Sequence, residues 1–272
     1  MVRTTWVRER RSSAIATSEG SSDAPPRRPA ALITGAGRLA GIGAGIAARL
    51  ADDGWDLGLS YWRPYDADQA WASEDDEPKR LAEDLRRRGA TVLLLPGDLA
   101  VPTEPDRLME EAAALGPLRG LVLSHAESRD SSILDTTVES FDRHMAVNAR
   151  ASWQLIAAFA RQVKDGGAIV ALTSDHTAFN LPYGASKGAL DRIVIAAARE
   201  LGHLGIRSNV VNPGPIDTGW MNDELRAELA RQQPTGRLGT PADLARIVSF
   251  LLSDEGAWTT GQLIHCDGGF SA

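Results

Sequence analysis

A tyrosine and a lysine, Tyr183 and Lys187, stand four residues apart in a segment whose pattern predicts a helix. On a helix this spacing places both side chains on one face. A tyrosine with its ordinary pKa of about 10 exchanges protons poorly at neutral pH. A neighbouring ammonium favours the phenolate and lowers that pKa, so we expect the pair to act as a general acid and base. The same spacing also arises by chance on solvated helix faces, so the rest of the chain has to support this interpretation.

A glycine-rich segment, Thr34–Gly43, lies between a predicted strand and a predicted helix. Glycines let the backbone approach a pyrophosphate, and the start of a helix offers free N–H groups and a positive dipole end. Glycines also serve ordinary tight turns, but this strand, loop and helix order is the context that a dinucleotide site requires. We therefore predict a dinucleotide site that includes Gly35, Arg38, Gly41 and Ile42.

The end of the second predicted strand distinguishes the two nicotinamide coenzymes. An acid at this point binds the 2′-hydroxyl of NAD and repels the 2′-phosphate of NADP. This chain instead has Tyr61 and then Arg63, and Arg38 in the glycine loop adds a second cation. We therefore predict that NADP(H) is favoured over NAD(H), with Tyr61 and Arg63 in the site. The alternative is that Arg63 is a solvated loop residue.

Asp98 follows the third predicted strand. A carboxylate at the carboxyl end of a strand can accept a hydrogen bond from an adenine amino group. It can equally cap the next turn, and the sequence leaves both roles open.

From Ala30 onward, short apolar runs alternate with amphipathic stretches, which is typical of βαβ units around a parallel sheet. The predicted strands are Ala30–Thr34, Trp55–Tyr61, Thr91–Pro96, Gly120–Ser124, Gly167–Thr173, Ile206–Asn212 and Gln262–Cys266. The predicted helices are Ile42–Asp53, Lys79–Arg88, Thr103–Leu115, Ser140–Lys164, Tyr183–Leu201 and Pro241–Ser253. This alternation predicts an α/β fold, a doubly wound parallel seven-stranded sheet in a Rossmann-like single domain over residues 30–272. The stretch Arg63–Pro78 is predicted to be a long surface connection.

Composition excludes several classes of protein. The net charge of −7 argues against a nucleic acid partner, because phosphate binding needs clustered Lys and Arg. No apolar run approaches the roughly 18 residues of a membrane span, so we expect no membrane partner, and we predict no metal site. Cys266 is the single cysteine, which excludes an intrachain disulfide and fits a cytoplasmic protein. Residues 1–29 are rich in Ser, Pro and Arg and are predicted to be a disordered tail.

Short motifs spread from about Ala31 to Gly269 resemble those of the short-chain dehydrogenase/reductase family. The matching pieces are Thr34-Gly35 with Gly41-Ile42-Gly43, Asp98, Val147-Asn148, Thr173-Ser174, Tyr183 to Lys187, Asn212-Pro213-Gly214, Arg237 to Pro241 with Asp243, Thr260-Gly261-Gln262 and Asp267-Gly268-Gly269. The resemblance implies NAD(P)(H)-linked alcohol and carbonyl chemistry in a homo-oligomer, a tetramer or dimer. The closing segment is most similar to 3-oxoacyl-[acyl-carrier-protein] reductases.

The resemblance also implies roles for individual residues. Tyr183 would donate a proton to the substrate carbonyl oxygen, and Lys187 would lower the tyrosine pKa and hold the nicotinamide ribose. Ser174 would orient the carbonyl, although it can also simply end a strand. Asn148 would anchor a water that links the lysine to solvent, although it can instead satisfy backbone groups in a helix. Further coenzyme contacts are implied for Leu99, Ala126, Pro213, Gly214, Ile216 and Thr218.

Three departures from the family pattern bear on the substrate. The glycine loop spacing resembles the enoyl-acyl-carrier-protein reductase branch, but that branch would place Leu190 at the lysine site, so carbonyl reduction is favoured. The usual Asn-Asn-Ala-Gly is replaced by residues 124–127, which end in Glu127, a residue we expect to affect substrate choice. Ser174 and Tyr183 are only nine residues apart, so the loop between them is shorter than usual.

Two side chains are candidates for substrate binding. His176, in the shortened loop, can contact substrate or be a surface histidine. Trp220, with Met221, can form an apolar lid or pack against another subunit. The leading hypothesis is an NADP-dependent reductase of a ketone or 3-oxoacyl thioester. The alternatives are an NADP-binding sensor or scaffold without turnover, and an enoyl-thioester reductase.

Overall fold

The computed structural model describes residues 28–69 and 74–272. The predicted disordered tail lies outside the described residues, apart from its last two. Of these, Arg28 is anchored to the domain, because its guanidinium lies 3.4 Å from the carboxylate of Asp56.

Seven parallel strands form one sheet in the order β3-β2-β1-β4-β5-β6-β7. The strands are β1 Ala30–Thr34, β2 Asp56–Tyr61, β3 Val92–Pro96, β4 Leu118–Leu123, β5 Gly167–Leu172, β6 Ile206–Asn212 and β7 Leu263–His265. Every residue of β1 is buried, since helices cover both faces of the sheet. The predicted fold class is therefore confirmed.

Nine α-helices lie in the described part of the chain. They are α1 Ile42–Asp52, α2 Arg63–Ala67, α3 Glu77–Arg87, α4 Glu104–Ala112, α5 Val138–His144, α6 Ala151–Gln162, α7 Leu181–Glu200, α8 Asp223–Gln232 and α9 Pro241–Leu252. One core layer buries apolar residues of α1, α3 and α9 against the sheet, and the other buries those of α4, α6 and α7. Among the described helices, none is long and apolar enough to cross a membrane.

Three helical features differ from the sequence-based prediction. The predicted helix Ser140–Lys164 is divided into α5 and α6 by a π-helical turn, Met145–Arg150. The short helix α2 lies in the stretch that was predicted to be a long surface connection. Helix α8 was not predicted. It is polar and buries none of its residues fully, so it lacks the apolar stripe from which a helix is predicted in a sequence.

The chain connects β1 to β2 and β3 on one side of the sheet, and β4 through β7 lie on the other side. The direction of winding therefore reverses between β1 and β4. In open α/β sheets the crevice at the carboxyl ends of two such strands is where ligands bind.

Candidate active site

A cavity of about 1010 Å³ occupies this crevice. That volume is at the upper end of the range for ligand pockets. The predicted site residues that line it are Gly35, Arg38, Gly41, Ile42, Tyr61, Asp98, Leu99, Ala126, Ser174, His176, Tyr183, Pro213, Gly214, Ile216, Thr218 and Trp220. Three predicted residues, Arg63, Asn148 and Lys187, are not among its lining residues.

The glycine loop has the close packing that a pyrophosphate site needs. Gly35 has a φ of +72°, and a Cβ there would lie 2.6 Å from the carbonyl oxygen of Ser124. A Cβ on Gly43 would lie 2.7 Å from the carbonyl oxygen of Gly35. Gly41 precedes α1 without a side-chain cap, which leaves the helix N-terminus available to an anion. The loop therefore fits the pyrophosphate of a dinucleotide.

An acid lies after β2, near the end of the strand where the sequence suggested only the cations Arg38 and Arg63. Asp66, in α2, lines the cleft, and its Oδ2 would lie 2.9 Å from a Cβ on Gly37. Burial raises the pKa of Asp66, and the neighbouring guanidinium of Arg63 opposes that rise. Arg63 lies 3.4 Å from this carboxylate, whereas Arg38 donates to the carbonyl of Thr218 at 2.7 Å. Sequence reasoning missed Asp66 because it stands beyond the strand end where an acid is expected.

Asp98 is held by contacts within the chain. Its Oδ1 accepts from the N–H of Ala100 at 2.9 Å, which is the turn-capping role left open above. Both carboxylate oxygens also accept from the guanidinium of Arg143, at 3.1 and 3.2 Å. Arg143 lines the cleft and was not predicted, because its place in α5 gives no local signal. Acceptance from an adenine amino group stays a prediction.

Ser174, Tyr183 and Lys187 converge at the carboxyl end of β5. Ser174 follows that strand, and Tyr183 stands in the first turn of α7; both line the cleft. One turn on, Nζ of Lys187 lies 5.6 Å from the centroid of the tyrosine ring and donates to the carbonyl of Leu172 at 2.8 Å. The lysine is 3% exposed, so it lies behind the wall of the cleft rather than in it.

The pKa values of this pair follow from burial. Burial raises the pKa of Tyr183 to about 12, although the hydroxyl of Ser174 opposes that rise. Burial lowers the pKa of Lys187 to about 8, against the carboxylate of Asp191, which raises it. The pKa of Tyr183 therefore moves opposite to the direction expected from a neighbouring ammonium, because desolvation of the phenolate is its largest cause. At neutral pH the phenol is therefore protonated and able to donate.

The shortened loop between Ser174 and Tyr183 closes through one unusual backbone conformation. Phe179 has a φ of +61°, and no other non-glycine residue in the described part of the chain has a positive φ. Its side chain is 78% exposed. His176 donates its backbone N–H to Oγ of Ser174 at 3.2 Å, and its ring bonds the carbonyl of Ala178 at 2.9 Å. The loop thereby returns the tyrosine to the serine and leaves His176 on the rim of the cleft.

Asn148 lies in the π-helical turn and braces the loop after β4. Its Oδ1 accepts from the N–H of Glu127 at 2.7 Å, and its Nδ2 donates to the carbonyl of Glu127 at 2.9 Å and to Oγ of Ser186 at 2.8 Å. The side chain thus satisfies backbone groups, but in a loop and not within a helix. Its predicted part in a water chain stays a prediction.

Two residues of this loop that depart from the family pattern have different surroundings. His125 is buried between Oγ1 of Thr34, at 2.6 Å, and the carbonyl of Val147, at 3.0 Å. Burial lowers the pKa of His125 to about 3, so the ring is neutral and pins the loop to β1. The carboxylate of Glu127 accepts from Arg129 at 3.1 Å and from Arg143 at 3.2 Å.

The chain after β6 supplies apolar residues to the lining of the cleft. Trp220 lines it and is 46% exposed, whereas Met221 is only 4% exposed and is packed inside the domain. The expectation that Met221 forms a lid or faces another subunit is therefore wrong. Sequence reasoning missed three apolar lining residues, Leu225, Leu229 and Phe270. The spacing of the two leucines, one helical turn, was their only signal.

Comparison with known proteins assigns the family. A family model described as enoyl-(acyl carrier protein) reductase matches residues 35–271. An uncharacterized oxidoreductase of Bacillus subtilis is 36% identical over 88% of this chain and 96% of its own length. The 3-oxoacyl-[acyl-carrier-protein] reductase of Staphylococcus epidermidis is 30% identical over 88% of this chain and 97% of its own.

Among solved structures, a blue fluorescent protein from a metagenomic library in complex with NADPH has a TM-score of 0.80 and 33% identity. The alignment covers 90% of this chain and 98% of that one. With the sheet order and the crevice described above, these matches place the chain in the short-chain dehydrogenase/reductase family. It is an oxidoreductase of that family.

Proposed function

We propose that the protein is an NADP(H)-dependent reductase that converts a ketone or 3-oxoacyl thioester to the alcohol, with Tyr183 as the proton donor. The observation that carries this proposal is that Ser174 and Tyr183 line the same cavity as the glycine loop, with Nζ of Lys187 5.6 Å from the centroid of the tyrosine ring. A polarising hydroxyl and a protonated phenol in one coenzyme-sized cleft are the groups that carbonyl reduction needs.

The coenzyme assignment draws on the cleft and on similar proteins. The glycine loop and the N-terminus of α1 would hold the pyrophosphate, and Arg38 offers a cation for a 2′-phosphate. The similar metagenomic protein was crystallised with NADPH. When bound, the nicotinamide supplies the hydride that reduces the carbonyl carbon.

The protein's own residues would orient the carbonyl and deliver the proton. Oγ of Ser174 would donate to the carbonyl oxygen and hold it beside the phenol. Tyr183 would transfer its proton to that oxygen as negative charge develops there. The ammonium of Lys187, 5.6 Å from the ring centroid, would stabilise the resulting phenolate. A phenol with a pKa of about 12 favours the direction of reduction.

The test is NADPH consumption over a panel of aldehydes, ketones and an acetoacetyl thioester. We expect Tyr183→Phe to lose roughly 100- to 10,000-fold in kcat with its NADPH affinity retained, as loss of a general acid predicts. We also expect Ser174→Ala to turn over more slowly than the parent, and Ser253→Ala, which changes a serine at the end of α9, is its control. Equal turnover by the parent and Tyr183→Phe would remove the tyrosine from the mechanism. Tight NADPH binding without turnover on any carbonyl would favour the sensor alternative.

Enoyl-thioester reduction is the second candidate function, favoured by the spacing of the glycine loop and by the description of the matching family model. Against it, Leu190 stands at the position where that branch would place its lysine, and it is buried in the core. A crotonyl thioester assay with NADPH or NADH separates the two reactions.

We also infer that the protein is cytoplasmic and forms a dimer or tetramer. The low cysteine content supports the compartment, and several exposed apolar side chains support the assembly, including Leu134 at 95% and Trp153 at 55% exposure. Light scattering of the purified chain measures its mass directly, and a monomer at micromolar concentration would contradict this inference.

A further inference from the structure

The chain crosses the crevice soon after β2 ends. We call residues 62–69 the strap; they begin at the carboxyl end of β2 and include α2. In the sheet, β2 and β4 flank β1, and the strap reaches the loop that follows β4. It therefore spans the carboxyl end of β1, where the glycine loop begins.

The first contact across the crevice is made by Tyr65. Its phenol donates to the carbonyl of Ser128 at 3.3 Å and accepts from the N–H of the same residue at 3.2 Å. Oγ of Ser128 in turn accepts from the amide of Asn180, at the start of α7. One strap side chain thus satisfies both backbone groups of a loop residue that is tied to the catalytic helix.

The second contact is made by Asp68, which pairs with the guanidinium of Arg129. Arg129 also donates from Nε to the carboxylate of Glu127 at 3.1 Å, and that carboxylate accepts from Arg143 at 3.2 Å. Arg143 then pairs with Asp98 after β3. Charges of alternating sign therefore run from the strap, along one wall of the cleft, to the end of β3.

One departure from the family pattern is linked to the strap through these contacts. Glu127 replaces the usual glycine, and its side chain is 4% exposed and holds Arg129 in place. Arg129 presents Nη2 to Asp68 of the strap. A glycine at position 127 would offer Arg129 no carboxylate. Glu127 therefore helps to hold Arg129 where it pairs with Asp68 of the strap.

The strap faces the cleft. Trp62, Tyr65, Asp66 and Gln69 line the same cavity as Tyr183 and the glycine loop. A dinucleotide that follows the glycine loop would therefore lie beneath the strap with its adenosine half. We propose that Tyr65 and Asp68 are positioning residues that hold the strap across the bound coenzyme and limit the rate at which the coenzyme leaves. This inference rests on the proposed coenzyme site.

The experiment measures NADPH dissociation from the full chain by stopped-flow fluorescence, with excess NADP⁺ as the chase. We expect Tyr65→Phe to dissociate about fivefold faster, since it loses two part-buried hydrogen bonds to Ser128. Asp68→Asn should dissociate roughly twofold faster, and this effect should fade at high salt because the ion pair is exposed. Asp106→Asn breaks another exposed ion pair, with Arg161 in α6, and should match the parent.

Amide exchange gives a second measure that does not need turnover. Coenzyme should protect the amides of residues 62–69 and 128–129 in the parent and protect them less in Tyr65→Phe. If Tyr65→Phe does not fold, the exposed Asp68→Asn carries the test. Parent-like dissociation of both folded variants would overturn the strap proposal alone. A parent that binds neither NADPH nor NADH would overturn the proposed function as well.

Discussion

The side chain of Asn148 bonds both backbone groups of Glu127, accepting at 2.7 Å from its N–H and donating at 2.9 Å to its carbonyl. Both groups are buried, so neither has water as a substitute partner. This pair of bonds fixes the loop that joins β4 to the wall of the cleft.

Replacing this amide should destabilise the fold. Asn148→Ala leaves two buried backbone groups unpaired, and we expect the free energy of unfolding to fall by about 2–4 kcal/mol. Denaturant unfolding measures it. The control, Asn222→Ala, removes the exposed cap of α8 and should cost about 1 kcal/mol. An Asn148→Ala loss no larger than that of the control would mean that the loop satisfies these groups in another way.

Asp66 should work against the 2′-phosphate of NADP. Asp66→Asn removes a negative charge beside Gly37 while it keeps the shape of the side chain. We expect the ratio of kcat/KM for NADPH to that for NADH to rise roughly tenfold. Asp84→Asn, on the outer face of α3, changes the net charge by the same amount as Asp66→Asn and should leave the ratio unchanged. A ratio unaltered in Asp66→Asn would place the ribose elsewhere in the cleft.

The ionisation of Lys187 should appear in the pH profile. Its pKa is lowered by burial to about 8, so the ammonium is lost as pH rises through this value. The profile of kcat/KM for the coenzyme reports ionisations of the free enzyme. We expect it to be level below pH 8 and to decline above it. Asp191 raises this pKa, so Asp191→Asn should move the decline to lower pH. A profile that stays level through pH 9.5 would contradict the role of the ammonium.

Trp220 should contribute to binding of the substrate and not of the coenzyme. It lines the cleft together with Leu225 and Leu229. Trp220→Ala should raise KM for a bulky ketone roughly tenfold, because half-buried apolar contact is lost, with little change in KM for NADPH. Trp258→Ala is the matched control, since Trp258 is 100% exposed. Equal changes in the two variants would show that Trp220 does not touch substrate.

The sheet was predictable because its strands are buried on both faces and appear in the sequence as short apolar runs. The glycine loop and the pairing of Tyr183 with Lys187 were predictable for a similar reason, since each depends on local spacing. Asp66 and Arg143 were not, because tertiary folding alone brings α2 and α5 to the cleft. Met221 was misassigned because sequence does not say which side of a loop turns inward.

The direction of the pKa shift of Tyr183 was also beyond the sequence. A spacing of four residues shows that an ammonium is near, but not how far water is excluded from the phenol. Desolvation, which depends on the whole fold, decides the sign here.

The π-helical turn at Met145–Arg150 sets the angle between the direction of Arg143, which precedes the turn, and that of Asn148, which lies within it. Each residue of an α-helix advances the side chains by about 100°, and a π turn holds one residue more than an α turn. Deleting one residue here would rewind the turn and rotate Arg143 away from Asp98 while Asn148 kept its direction. A chain without this extra residue would have to align the Asp98 side and the Glu127 side of the cleft by other contacts.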